Sequence, residues 1–134
     1  YKIVFIGTVS EKEIVDRLSS NLTNDPINLI GKTSIKNLFS IFHNASFVFG
    51  LDSGTQHVAA FEGTNVITLT SCWNFDNTWT PEGEGKIITL KNSNNSKKCL
   101  FYRNREGNKS CYNKGGCINQ ITTDEAINAI RQFK

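Results

Sequence analysis

Asp52-Ser-Gly-Thr-Gln-His57 gathers, within six positions, the residue types that hold a phosphate. The segment follows the apolar run Phe47-Val-Phe49 and leads into a helix-sized stretch carrying His57, Val58 and Phe61, so it falls where a strand turns into a helix. At such a turn the first helical amides have no intrahelical partner, and the helix dipole adds roughly half a positive charge. Gly54 removes the side chain that would keep a ligand off the backbone, while Ser53 and Thr55 add hydroxyl donors. Together these parts form a phosphate cradle. Asp and Ser are also ordinary helix caps, so the turn taken alone supports either reading. His57, one turn into the helix, either donates to a phosphate oxygen or packs beside the cap.

The rest of the chain supplies the frame for that turn. Lys2-Ile-Val-Phe-Ile6, ended by Gly7, has the form of a strand buried on both faces. Ser10-Glu-Lys-Glu13 has capping-box spacing ahead of a helix whose Ile14, Val15, Leu18 and Leu22 share one face, and Asp25-Pro26 closes it. Ile27 to Ile30 reads as a second strand. Thr33 or Ser34 caps a second helix with Ile35, Leu38, Phe39 and Phe42 on its apolar face. Val66 to Leu69 and Lys86 to Leu90 are the fourth and fifth strands, and Thr122-Thr-Asp-Glu125 repeats the capping-box spacing before a last helix carrying Ile127, Ile130 and Phe133. Alternation of strand and helix with short loops predicts an α/β fold, a parallel sheet with flanking helices, because parallel strands require crossovers that cover both faces.

Size and charge narrow the function. A chain of 134 residues builds one domain, 1–134, and buries roughly 65–70% of the surface its unfolded form exposes. Fifteen Lys and Arg against 12 Asp and Glu leave a net charge of +3, which admits an anionic ligand but not the dense basic stripe of a nucleic-acid binder, so no nucleic-acid partner is expected. No apolar run approaches the roughly 18 residues of a membrane span. The sequence contains no methionine, so the expectation is a processed chain or a piece cut from something longer.

Residues 91 to 120 interrupt the alternation with a polar, Asn- and Lys-rich segment holding Cys99, Cys111 and Cys117, and Cys72 lies further back. With no C-x-x-C pair, three readings stay open: a structural zinc or iron site on the four cysteines, one disulfide with two free thiols, or simple loop cysteines. Trp73 and Trp79 follow the fourth strand, where either could stack on a sugar or adenine or merely cover the loop. Lys97, Lys98, Arg103, Arg105 and Lys109 make the tail segment basic, a solvated surface or an attraction for an anionic glycolipid.

Gly31-Lys-Thr-Ser-Ile35, then Phe47 through Asp52-Ser-Gly-Thr-Gln-His-Val-Ala-Ala60, then Gly63-Thr-Asn-Val-Ile67 resemble, in that order, the carboxyl-terminal half of the bacterial heptosyltransferases, the family-9 glycosyltransferases. The opening Phe5-Ile-Gly-Thr-Val-Ser-Glu11 and the closing Cys-rich loop with Ile121-Thr-Thr123 are similar as well, so the likeness spans nearly the whole chain. The resemblance implies the Rossmann-like, three-layer donor-binding half of a two-domain GT-B enzyme of lipopolysaccharide core synthesis, cytoplasmic in bacteria or at the inner-membrane face. It implies that Asp52, Ser53, Gly54, Thr55 and His57 line the diphosphate and sugar of an ADP-heptose-like donor, that Glu11 binds the ribose hydroxyls, that Thr33 meets the adenine, and that Lys32 approaches the phosphates or stays solvated. It also implies a glycan or glycolipid acceptor and metal-independent, inverting transfer. The catalytic base would belong to the amino-terminal half, so this piece carries none and is expected to bind donor without turnover. Two other readings remain at this point: a GT-B nucleotide-sugar epimerase domain, and a non-catalytic interaction module held by metal at the cysteines.

Overall fold

The computed structural model describes residues 1–71, 79–91 and 118–133. The chain divides into two compact units, Tyr1–Ser40 and Ile41–Lys134.

In the first unit β1 (Val4–Phe5) pairs in parallel with β2 (Ile27–Asn28), Val4 opposite Ile27 and Phe5 opposite Asn28. Between them lie a 3-10 turn, Val9–Glu11, and α1 (Lys12–Ser19). The capping box forms two residues earlier than expected, at Thr8 ahead of the 3-10 turn and not at Ser10. Gly7 ends the strand and leaves Thr8 extended, and Thr8-x-x-Glu11 has the same spacing. The Thr8 N–H donates to Glu11 Oε2 at 2.6 Å and the Thr8 hydroxyl to the same oxygen at 3.0 Å. Val15 is the buried residue of α1, while Ile14, Leu18 and Leu22 of its expected apolar face are exposed. Nor is β1 buried on both faces: Val4 is 39% exposed, because two strands of two residues each cover little of one another.

The helix α2 (Ile35–His43) starts at Ser34, not Thr33. The Ser34 N–H and hydroxyl donate to Asn37 Oδ1 at 3.0 and 2.7 Å, and the Asn37 N–H returns a bond to the Ser34 hydroxyl. Its Leu38 and Phe42 are buried, but Ile35 is exposed.

The second unit holds a parallel three-stranded sheet ordered β3 (Val48–Leu51), β4 (Val66–Leu69), β5 (Ile87–Leu90). The strands run flush, Val48 opposite Val66 and Val66 opposite Ile87, and Leu51, Leu69 and Leu90 end in register. Central β4 is the driest element: Val66, Ile67 and Thr68 are at most 1% exposed, as a strand with a neighbour on each side requires. Between β3 and β4 runs α3 (Gly54–Phe61), which buries Gln56, Ala59 and Ala60 and leaves His57 and Phe61 exposed. Alanine lets the helix lie close to the sheet. Gly50 serves the same end, since a Cβ there would stand 2.6 Å from Gln56 Nε2. The last helix, α4 (Thr123–Arg131), opens with the expected Thr122–Glu125 capping box, and just past its end Phe133 stacks on Phe47 with ring centroids 5.5 Å apart. Among the described residues no helix is long and apolar enough to cross a membrane.

The loop before β5 is pinned to α3 and the turn behind it. Pro81 is fully buried. A Cβ on Gly83 would stand 1.8 Å from the Ala60 carbonyl oxygen, and one on Gly85 would stand 2.5 Å from that of Thr64. Backbone cannot yield to such an overlap, so Gly83→Ala is expected to destabilise the fold by about 1–3 kcal/mol or more in urea unfolding.

At α4, Glu125 accepts from the Thr122 N–H at 2.7 Å and from its hydroxyl at 2.8 Å. These bonds, the backbone one foremost, hold its pKa below the ordinary 4.5. Their stabilisation is therefore complete above pH 4.5 and fades as the pH falls from there through the lowered value. Unfolding midpoints followed into acid should decline less steeply in Glu125→Gln than in the unsubstituted chain.

Candidate functional site

Because β3 and β4 are parallel and flush, their carboxyl ends lie side by side, where open α/β sheets bind ligands. A cleft of about 610 Å³ opens there, within the range of small-molecule sites. Its lining is polar at Asp52, Ser53, Gly54, His57 and Ser71 and apolar at Leu51, Leu69, Trp79 and Ile118.

Most of the polar lining is built on one turn. Asp52 is tied to the neighbouring strand twice: its N–H donates to the Leu69 carbonyl at 2.9 Å, and the buried Thr70 hydroxyl donates to its Oδ2 at 3.2 Å. Ser53 follows in extended conformation as the residue capping α3, yet its hydroxyl makes no capping bond and instead pairs with the Thr55 hydroxyl at 2.8 Å. The amides of Gly54 and Thr55 are the first two of α3, which by helix geometry have no intrahelical acceptor. Among the described residues nothing lies within 4 Å of where a Gly54 Cβ would be. Packing among them therefore does not demand glycine at position 54. What its bare backbone provides is room for an incoming group to reach the amides.

Charge divides this turn in two. The amide end of α3 attracts an anion. The Asp52 carboxylate, one oxygen already bonded by Thr70, repels a second anion and suits hydroxyl donors.

Asp52, Ser53, Gly54 and His57 thus share one cleft, and Thr55 joins them through its bond to Ser53. Glu11, Lys32 and Thr33 belong to the first unit. One Glu11 oxygen already accepts both Thr8 donors, the exposed Lys32 ammonium donates to the Asn28 carbonyl at 3.2 Å, and Thr33 is half-buried. Trp73, Cys72, Cys99, Cys111 and Cys117, with the basic residues from Lys97 to Lys109, lie outside the described residues. Among the described residues no group of three or more His, Cys, Asp or Glu could hold a metal. Thr70 and Ser71 lie just past the fourth strand expected from the sequence, Val66 to Leu69, and nothing local marked Thr70 as the partner of Asp52 or Ser71 as part of the cleft lining. Ile118 carried no local signal, since it reaches the cleft from far along the chain.

Residues 1–110 match the family described as glycosyltransferase family 9 (heptosyltransferase). Over 59 residues the chain is 37% identical to the lipopolysaccharide core heptosyltransferase OpsX of Haemophilus influenzae, covering 44% of this chain and 17% of that protein. Its fold is similar to the crystal structure of a family 9 glycosyl transferase from Veillonella parvula, with a TM-score of 0.70 and 20% identity over 99% of this chain and 36% of the other. The chain thus spans 17% of the curated relative's length and 36% of the solved one's.

Open space in front of Gly54 separates stability from binding at that position. Gly54→Ala is expected to leave the thermal midpoint unchanged, or to raise stability by up to about 1 kcal/mol, because alanine costs less conformational entropy in a helix.

Proposed function

The chain belongs to glycosyltransferase family 9, the heptosyltransferase family, and on that premise we propose that residues 1–134 form the domain that binds the nucleotide-sugar donor, an ADP-linked heptose or a related sugar. The observation that carries this reading is the bare amino end of α3, with Gly54 opening its first amides to a cleft at the carboxyl ends of β3 and β4.

In the proposed complex the diphosphate rests against the Gly54 and Thr55 amides, with the Ser53 and Thr55 hydroxyls as further donors. His57, exposed and one turn along the same helix, reaches a phosphate oxygen through a ring N–H. Asp52 takes sugar hydroxyls. Glu11 is assigned to the ribose, where its second oxygen can accept a hydroxyl while the first keeps its bonds to Thr8; Thr33 and Lys32 are assigned to the adenine and the phosphates.

The reaction follows from this placement. A hydroxyl of a lipopolysaccharide-core or similar glycan acceptor attacks the anomeric carbon as the bond to the diphosphate oxygen breaks. Charge collects on the leaving diphosphate, where the fixed dipole and amides of α3 stabilise it without reorganising. The base that removes the acceptor proton is assigned to the part of the enzyme beyond these residues.

Calorimetry with ADP tests the reading. ADP should bind the chain saturably and more tightly than UDP. Gly54→Ala should weaken it about tenfold by pushing the phosphate off the amides, the equivalent of about 1.4 kcal/mol. Absence of saturable heat at millimolar nucleotide, or full affinity in Gly54→Ala, would overturn it.

A further inference from the structure

Ser53-x-x-Gln56 has the spacing of a capping box, the same as Thr8-x-x-Glu11 and Thr122-x-x-Glu125. In those two the Glu side chain reaches back to the Thr N–H, at 2.6 and 2.7 Å. At α3 the box stays open: the Ser53 hydroxyl makes no capping bond and pairs with that of Thr55. Gln56, whose side chain would reach back to the Ser53 N–H, is only 3% exposed, and its Oε1 lies buried with no hydrogen-bond partner. An acceptor left dry carries a cost in free energy that a closed box would avoid. Local chemistry therefore favours closing the box, and packing holds it open.

The packing that does so is at Gly50. Glycine weakens the interior of a strand and marks places where another group comes close to the backbone. Gly50 does not have the positive φ of Gly7, Gly31 and Gly63, so its conformation is open to other residues. What asks for glycine is the Gln56 side chain: a Cβ at position 50 would stand 2.6 Å from Gln56 Nε2. Gly50 is thus the berth in which the Gln56 amide lies, and an amide lying there cannot fold back across the start of α3. We propose that Gly50 is a positioning residue for the anion site: by berthing the Gln56 amide it stops the Ser53–Gln56 box from closing, and so keeps the first amides of α3 open to the diphosphate. This inference rests on the donor-binding reading above and adds to it a residue that acts on the site through Gln56.

The test follows ADP affinity by calorimetry and hydrogen exchange at the Ser53 amide by NMR in the 134-residue chain. Gly50→Ala should evict the amide, weaken ADP about fivefold, the weight of an ordinary cap, and slow exchange at Ser53. Adding Gln56→Met to Gly50→Ala keeps the crowding but removes the group that closes the box. The double variant should bind ADP within about twofold of the unsubstituted chain, with Ser53 exchange restored. A purely structural role for Gly50 predicts instead that alanine weakens ADP equally with Gln or Met at position 56. That result would overturn the proposal, as would ADP affinity and Ser53 exchange unchanged in Gly50→Ala. Should Gly50→Ala fail to fold, Gln56→Glu takes its place. A carboxylate cannot lie dry in the berth, so it should close the box and slow exchange at Ser53, and unchanged exchange would overturn the proposal. Absence of saturable ADP binding, or full affinity in Gly54→Ala, would remove the donor-binding reading and this inference together. ADP binding that responds to Gly54→Ala but not to Gly50→Ala would remove this inference alone.

Discussion

Two hydrogen bonds at the end of β4 hold the residue before the α3 cap: the Asp52 N–H to the Leu69 carbonyl, and the Thr70 hydroxyl to the Asp52 carboxylate. The first extends the β3–β4 ladder by one residue and the second ties down the side chain, so Asp52 is fixed against the sheet before Ser53 turns the backbone into the helix. With Thr70 only 1% exposed, its hydroxyl has few other acceptors, and the bond to Asp52 spares it the cost of lying dry and unpaired. The direction of the first α3 amides follows from this tie. So does the division of the cleft into an end that attracts anions and a carboxylate that repels them.

Small residues keep that arrangement rigid. Ala59 and Ala60 are fully buried and let α3 lie close to the sheet, and Gly50 makes room for the Gln56 side chain on β3. At the far end of α3, Gly83 and Gly85 allow the returning loop to press against backbone carbonyls. In the donor-binding reading a departing diphosphate is served by a dipole that does not move as charge develops, and close packing of this kind is what holds α3 still.

Glu11 has one task in the fold and a second only in the donor-binding reading. One of its oxygens closes the cap at Thr8, which fixes the side chain's rotamer before any ligand arrives. In the donor-binding reading such pre-ordering favours recognition of a ribose, because the entropy of positioning the carboxylate is already lost on folding. Lys32, exposed and bonded among the described residues to the Asn28 carbonyl, is held less firmly.

Residue order alone determined the fold class, the parallel pairing, the family and the helix start at Asp52-Ser-Gly54, since apolar runs, capping residues and turn glycines act over a few neighbouring positions. Val66–Leu69 and the Thr122 cap were legible for that reason. Which of two equivalent spacings takes a cap was not: Thr8-x-x-Glu11 and Ser10-x-x-Glu13 are the same pattern, and the turn at Gly7 chose the first. Nor could periodicity show that α3 buries Gln56, Ala59 and Ala60, because a short helix beside a sheet selects its face by fit as much as by hydropathy. The cleft belongs wholly to tertiary structure. Thr70 bonds Asp52 from the next strand's end, and Trp79 and Ile118 line the same cleft from further along the chain, a meeting that the flush parallel register of β3 and β4 and the return of the later chain create and that no local pattern encodes.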